Sequence, residues 1–443
     1  MKNHKPTTWI LTAAILACLT GCSSWMGEDE APPLPGDRLS VIELQKKLEP
    51  DPALVADPYQ APTPWTNSDW PQTGGEPGHA MQHLSYAPEG GSKIWSVDIG
   101  AGSTRTNPLT AEPVVADGKI LTLDTDGNLS AFSADRGKKL WQVFAGARDE
   151  DDTAIGGGLA VADHVVFVTN GYAEILAIHT DQGHEVWRAP LPAPARAAPS
   201  VLDGRVYIVT MDNRLMALDA ASGTQIWTYR GVAEGAALLG AAAPAITHDL
   251  VVAPFSSGDL IAFRTANGST AWADNLAPVV RLGGATGLND IRALPVIDNG
   301  LVIAISYAGR LVAIDARTGT RVWQRDIAGA ETPWVAGPYV FVLSRDHQVM
   351  ALSRDTGAIR WITDLPGFED MEERTGPLHW TGPIYAGGRL KVFGSHGHAM
   401  DIDPANGQIV REIETGVDPA VPPVVARGVL YLLAHDGTLT AWQ

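Results

Sequence analysis

From about residue 90 to the C-terminus the chain alternates short apolar runs with polar turns, and no helical period of comparable length appears. Val206-Tyr207-Ile208-Val209 and Tyr339-Val340-Phe341-Val342 are typical of the runs. Such β-branched and aromatic stretches suit strands. Between them stand Asp117-Gly118, Asp203-Gly204, Asn299-Gly300 and Gly387-Gly388. Gly, Asn and Asp accept the positive φ that tight hairpins need. The order strand, turn, strand, turn, strand, turn, strand predicts units of four antiparallel strands.

These units repeat. The pattern Ala, five residues, Gly, three residues, Trp occurs as Ala131-Gly137-Trp141, Ala177-Gly183-Trp187, Ala217-Gly223-Trp227, Ala262-Gly268-Trp272, Ala313-Gly319-Trp323 and Ala351-Gly357-Trp361. A seventh copy is degenerate, with Asp401 at the Ala position, Gly407 retained and Arg411 in place of Trp. Gly91 and Trp95 carry only the second half of the pattern, and Ala441 only the first. Eighteen residues before most of the Ala positions lies Pro, as at Pro113, Pro199, Pro244, Pro295, Pro333, Pro383 and Pro423; the second repeat has Leu159 instead. The two terminal halves complete a count of eight. The fold class is therefore all-β: an eight-bladed β-propeller of four-stranded antiparallel blades. The strand around Ser92–Val97 is expected to pair as the outer strand of the last blade, closing the ring and removing two sheet edges. The Trp residues are expected to pack between blades, each burying a flat surface and donating one hydrogen bond. Asp401 and Arg411 are expected to form an ion pair where the other repeats stack.

The N-terminal region breaks this pattern. Lys2 and Lys5 precede an apolar stretch, Ile10 to Leu19, too short to span a bilayer, and Leu19-Thr20-Gly21-Cys22 resembles a bacterial lipobox. Residues 1–21 are read as a lipoprotein signal peptide and Cys22 as the lipid anchor. Ser23, rather than Asp, implies sorting to the outer membrane, and several acyl chains give stable anchoring. Residues 22–64 are read as a lipid-anchored, Pro-rich tether, and 65–443 as the propeller. Val41 to Leu48 fits a short helix within the tether. Cys18 leaves with the signal, so the mature chain keeps neither a disulfide nor a thiol nucleophile. Losing Lys2 and Lys5 takes the net charge from −18 to −20. A chain this acidic repels phosphate backbones, so no nucleic acid is expected as partner.

Length variation singles out one face. Within each repeat the span from Pro to Trp is fixed at 28 residues, whereas the separations from one Trp to the next Pro run 18, 18, 12, 17, 23, 10, 22 and 12 residues. In a four-stranded meander these connections share a face with the middle hairpin turns. Variable loops on a rigid scaffold are where function concentrates. The connection at 273–294 carries Arg281, Leu282, Leu288, Asp290, Ile291 and Arg292; that at 188–198 carries Leu191 and Arg196. Mixed Arg and Leu suit a protein contact. Acidic runs at Asp149 to Asp152 and Glu369 to Glu373 suit solvated loops.

The repeats resemble the pyrroloquinoline-quinone-type repeat of propeller dehydrogenases and their non-catalytic relatives, and Trp70-Pro71-Gln72-Thr73-Gly74-Gly75 resembles that family's opening segment. Lipobox, tether and eight such blades together resemble the BamB lipoproteins of the outer-membrane β-barrel assembly machinery. The resemblance implies a non-catalytic scaffold, not an enzyme, anchored at the periplasmic side of the cell outer membrane. It implies binding to the periplasmic domains of BamA within the Bam complex and aid to the folding and insertion of outer-membrane proteins, and it allows contact with those proteins while unfolded. The partner-binding residues it implies are Leu191 and Arg196 on one loop and Asp290 with Arg292 on the other; Leu288 joins them from the mixed Arg and Leu of that second connection. Where the family has Asp-x-Asp, this chain reads Asp290-Ile291-Arg292, which departs at the second acid. No catalytic residue, cofactor or metal is expected. A quinone-dependent dehydrogenase is the alternative, but the cysteine lid of many such enzymes is not available to this sequence. His396-Gly397-His398 and the pair His79 and His83 raise a metal reading, yet two His alone do not close a site. A glycan- or ligand-binding propeller is a further alternative, with Trp380 and Phe368 as its aromatic platforms.

Overall fold

Each repeat forms one sheet in which the inner three strands are buried on both faces and the outer strand alternates. The sheet of the Ala217 repeat is representative: Ser200–Leu202, Arg205–Val209, Arg214–Asp219 and Gln225–Arg230, with the middle two strands buried throughout their centres and the last one exposed at alternate positions. Blades stacked face to face leave water only at the rim, which is why the sequence shows short apolar runs rather than strict alternation. The structure, a computed structural model, describes residues 48–87, 91–147, 155–232, 240, 242–277 and 289–443. Among these are eight four-stranded sheets and one two-stranded hairpin, Phe368–Asp370 with Thr375–Pro377. The signal peptide and Cys22 lie outside the described residues, as does the expected helix from Val41 up to its last residue, Leu48.

For reference, blades are numbered one to eight by their inner strands, from Val114–Ala116 to Val424–Ala426. The ring closes as expected: Lys93–Asp98 pairs antiparallel with Thr438–Trp442, with Trp95 opposite Ala441. The turn signals also hold, with Asp117, Asp203 and Asn299 at φ of 52°, 52° and 45° ahead of glycines in the same region.

The repeat motif becomes a clasp between neighbouring blades. Trp95, Trp141, Trp187, Trp227, Trp272, Trp323 and Trp361 each reach across to the next blade. Each indole Nε1 donates to a backbone carbonyl there, at 2.7–3.3 Å. The accepting carbonyl always lies three residues after the motif Ala or Asp401. The ring plane rests on the motif glycine of the next blade: a methyl at Gly137, Gly183, Gly223, Gly268, Gly319, Gly357 or Gly407 would lie 2.4–2.8 Å from the Trp side chain. Within its own blade each of the six interior Trp sits opposite its motif Ala, at a β-bulge.

Blade seven replaces the clasp with charge. Asp401 is fully buried between Lys391 Nζ at 2.5 Å and the Arg411 guanidinium, whose Nε lies at 3.0 Å. Tyr86 covers the group: its ring lies 5.2 Å under Lys391 Nζ, and its hydroxyl occupies the space over Gly91 that an indole would take elsewhere. The expected Asp401–Arg411 pair is therefore present, as part of a larger buried group.

Residues 65–86 form a belt along the inner strands of the ring; the alternation of apolar and polar positions carries no signal for it, and only Trp70 to Gly75 stood out, through the family resemblance. Asn67 and Trp70 bond blades eight and one through Arg427 N and Val115. Pro71 and Gln72 reach blades two and three, accepting from Val161 N and Val201 N. Pro77 and Gly78 accept from Ile246 and Ile297 of blades four and five. Gln82 holds Gly337 N and Trp334 Nε1 of blade six, and Leu84 donates to Tyr385 of blade seven. The belt then meets its own start, where Trp65 N donates to His83 O and Ser85 N to Trp65 O. His79 and His83 belong to this belt, each with Nδ1 at 2.7 Å from a backbone carbonyl. The compact unit starts at Glu49, earlier than the expected boundary at residue 65. Pro52–Ala56 is a short helix; the carbonyls of Leu54 within it and of Asp57 just after it accept from Arg360, Tyr59 stacks on Tyr339 at 4.8 Å, and the Tyr59 hydroxyl donates to that of Tyr385 at 3.2 Å. The Pro-rich stretch thus ends by docking on blades six and seven.

The clasp can be tested by comparing two glycines of similar φ. Gly319→Ala forces a methyl into Trp272, whereas Gly204, at φ 69°, has nothing within 4 Å of an added Cβ. Gly204→Ala should cost about 1–2 kcal/mol from backbone strain alone. Gly319→Ala should cost about 1–3 kcal/mol more through overpacking. Equal urea midpoints for the two variants would refute the clasp.

Candidate functional site

On the loop face, the ends of the outer strands bond to the middle hairpin turns: Leu276 N donates to Gly258 O, Gly231 N to Asn213 O and Leu365 N to His347 O. Among the described residues, the last residues of several connections, such as Thr110, Ala197, Leu294 and Thr332, gather at the channel. The connection before blade three is pinned early. Leu191 N donates to Ala173 O, Ala195 bridges to Thr210, and Arg196 N donates to Val209 O. Leu191 is buried in one cluster with Phe167, Ile175 and Met216.

Arg196 then turns inward. Its Nη2 donates to Asp290 Oδ1 in a short contact, although the two residues are 94 positions apart in sequence. The side chains are 3% and 1% exposed, so this is a buried ion pair that joins the connection before blade three to the one before blade five. Ile291 beside it is fully buried in the core between blades four and five. Arg196 Nε and Nη1 are buried with no hydrogen-bond partner among the described residues.

Arg292 is the exposed member of the group. Its Nη1 lies 4.0 Å from Glu331 Oε1. Glu331 also accepts from Thr381 Oγ1 at 2.8 Å and Gly382 N at 3.2 Å. Arg292 and Glu331, together with Arg196, Glu112 and the belt residue Thr73, line a cavity of about 100 Å3 at the mouth of the channel. Glu112 accepts from Gly74 N at 3.3 Å. Burial pushes its carboxyl up to about 7; the Gly74 N–H opposes that shift and the charge of Glu331 adds to it. Around this centre the loop face exposes Met211 and Val232, and Arg345 stacks over the Tyr307 ring at 4.0 Å.

The sequence-derived residues thus separate into two kinds. Leu191, Arg196 and Asp290 are interior, and Arg292 is at the surface. Leu288, Arg281, Leu282 and the acidic run at Asp149 to Asp152 lie outside the described residues. Trp380, one aromatic of the glycan alternative, is 7% exposed and donates to Pro366 O at 2.8 Å, so its face is not a platform. Glu112, Glu331 and Met211 were missed by the sequence reading, since single residues before an inner strand or in a turn carry no local signal.

Comparisons with known proteins agree on the type of propeller. The family model described as outer membrane protein assembly factor BamB matches residues 80–148 and 125–363. The BamB assembly factor of Yersinia pestis is 28% identical over 251 residues, covering 56% of this chain and 61% of the relative. That of Alkalilimnicola ehrlichii is 30% identical over 208 residues, covering 46% and 51%. The chain therefore spans about half to three-fifths of these relatives. The crystal structure of BamB from Moraxella catarrhalis superposes with a TM-score of 0.63 at 20% identity, covering 80% of this chain and 97% of the other. The quinohemoprotein alcohol dehydrogenase of Comamonas testosteroni shares the fold at a TM-score of 0.65 and 12% identity, covering 88% and 82%.

The ion pair and the raised carboxyl each give a test. Asp290→Ala strands a buried guanidinium and should cost about 3–5 kcal/mol, while Arg196→Met with Asp290→Leu should recover most of it. Urea unfolding of the three proteins decides this, and a double variant no better than the single one refutes the pair as a closed unit. Glu112 has its folded carboxyl raised, so the fold holds a proton that the unfolded chain releases. Its contribution to stability is complete below about pH 4.5 and is lost as pH rises towards about 7. Glu112→Gln should therefore flatten the fall of the thermal midpoint across that window; an unchanged slope refutes the assignment.

Clasped blades, belt, closure and the family match over most of the ring lead to one conclusion: this chain belongs to the family of the outer membrane protein assembly factor BamB, a propeller of pyrroloquinoline-quinone-type repeats.

Proposed function

We propose that the protein is a non-catalytic scaffold lipoprotein of the β-barrel assembly complex. Cys22 carries the lipid, the residues after it up to the docked helix act as tether, and the propeller works at the periplasmic side of the outer membrane. No helix among the described residues is long and apolar enough to cross a membrane. The loop face binds periplasmic domains of BamA and so aids folding and insertion of outer-membrane proteins.

The observation that carries this reading is the buried Arg196–Asp290 pair. It falls on two of the residues that the family resemblance assigns to partner contact, and it ties the end of the connection before blade three to the end of the one before blade five. Preorganised loops lose less entropy on binding. Leu191, Arg196 and Asp290 then act by positioning, while Arg292, Met211 and the connection holding Leu288 meet the partner. Arginine and an exposed methionine beside a rigid centre suit such a contact. The enzyme alternative has less support. The dehydrogenase that shares the fold does so at 12% identity, whereas the assembly-factor family model matches residues 80–148 and 125–363.

The test is a binding titration of the purified full chain against the periplasmic domains of BamA. Arg292→Ala with Met211→Asp should weaken binding at least about tenfold, a loss of roughly 1.4 kcal/mol, with an unchanged thermal midpoint. Asp290→Ala should weaken it together with stability. Unaltered binding in the surface variant would move the contact away from this face, and no binding by the wild-type chain would overturn the scaffold reading.

A further inference from the structure

The middle hairpin of blade seven carries His396-Gly397-His398, on the loop face but away from the channel. The two imidazoles stack with centroids 4.8 Å apart and planes 8° from parallel. The outer strand, Ile409–Glu414, runs beside them and adds a third group: Glu412 Oε1 lies 2.9 Å from His398 Nδ1. One ligand atom from each of His396, His398 and Glu412 falls within 4.8 Å of the others. His396 Nδ1 is buried and has no hydrogen-bond partner among the described residues.

The surroundings hold His396 in place. Trp380 packs edge-on against it at 5.3 Å and is itself anchored to the Pro366 carbonyl. Gly394 leaves the room: a Cβ there would sit 2.4 Å from His396 Cε1. A buried imidazole nitrogen without a partner is costly; His398 Nδ1 is also without a well-aligned hydrogen bond, although Glu412 lies within reach of it.

We propose that His396, His398 and Glu412 form a binding site for a divalent transition-metal ion of the zinc type. Two imidazoles and one carboxylate are the donor set of open zinc sites, which keep a fourth position for water. Imidazole donors also favour zinc, copper or nickel over magnesium or calcium. Tetrahedral bonds of about 2.0–2.1 Å place donor atoms about 3.4 Å apart, so modest side-chain rotation brings the three donors onto one ion. The metal would tie the middle hairpin to the outer strand at the one blade whose tryptophan clasp is replaced by charge. Sequence alone offered only two ligands; the sheet register, with Met400 opposite Glu412, supplies the third.

The experiment is calorimetric titration of zinc into the untagged full chain after treatment with a chelator. One tight equivalent and a raised thermal midpoint are expected. Partners outside the ligand set alone are worth about 10–100-fold in metal affinity, so Glu412→Gln should cost more than about tenfold. His396→Ala with His398→Ala should remove the equivalent. Glu412 is exposed, so its variant keeps the fold even if the histidine variant does not. Cobalt(II) in place of zinc should give the strong visible bands of a four-coordinate site, lost in Glu412→Gln. Zinc bound with wild-type affinity by both variants would overturn the site, as would no binding by the wild-type chain.

Discussion

The ring depends on a contact between one indole and one glycine, repeated at seven of the eight blade junctions. An eight-bladed ring stacks twisted sheets whose faces are not self-complementary, so each junction needs something flat, large and directional. Tryptophan meets all three needs. Its area, about 150–250 Å2, supplies the burial; its N–H fixes the sliding register through one carbonyl; its plane requires a neighbour without a side chain, which Gly183, Gly268 and Gly357 provide. The β-bulge at the motif alanine is the complementary device, since the extra residue sets the angle at which the outer strand presents its indole.

The exception sits where the chain has its loose ends. Blade eight is assembled from both ends of the propeller, and the belt finishes beside it at Tyr86. There Lys391, Asp401 and Arg411 replace the clasp. Asp401 is fully buried but bonded by two cations, so its desolvation is offset within the group. Tyr86 fills the space over Gly91. The belt links all eight inner strands and can be satisfied only in the closed ring. It therefore links blades that have no direct contact with one another.

Much of this was legible because it is local and periodic. Ala217-Gly223-Trp227 can be aligned with Ala313-Gly319-Trp323 by spacing alone, and the half-motifs at Trp95 and Ala441 specify closure without any structural input. The belt was not legible. Trp70 to Leu84 has no repeat and no period, since each residue answers to a different blade. The pairing of Arg196 with Asp290 was hidden for a similar reason: both were read as surface contacts because charged loop residues usually are. Their burial follows from the convergence of connections on the channel, a property of the closed ring. Glu412 likewise looks like any acidic residue on an exposed strand until the hairpin folds back beside it.

The departure at position 292 is better understood inside this geometry than along the sequence. An Asp-x-Asp pattern would place a second acid near Glu331, in a region that already holds Glu112 with its carboxyl raised to about 7. Arg292 instead stands 4.0 Å from Glu331. It partly neutralises the acids at the channel mouth while leaving the Arg196–Asp290 bridge intact. The change therefore preserves the rigid frame and reverses the sign of the charge that position 292 presents to solvent.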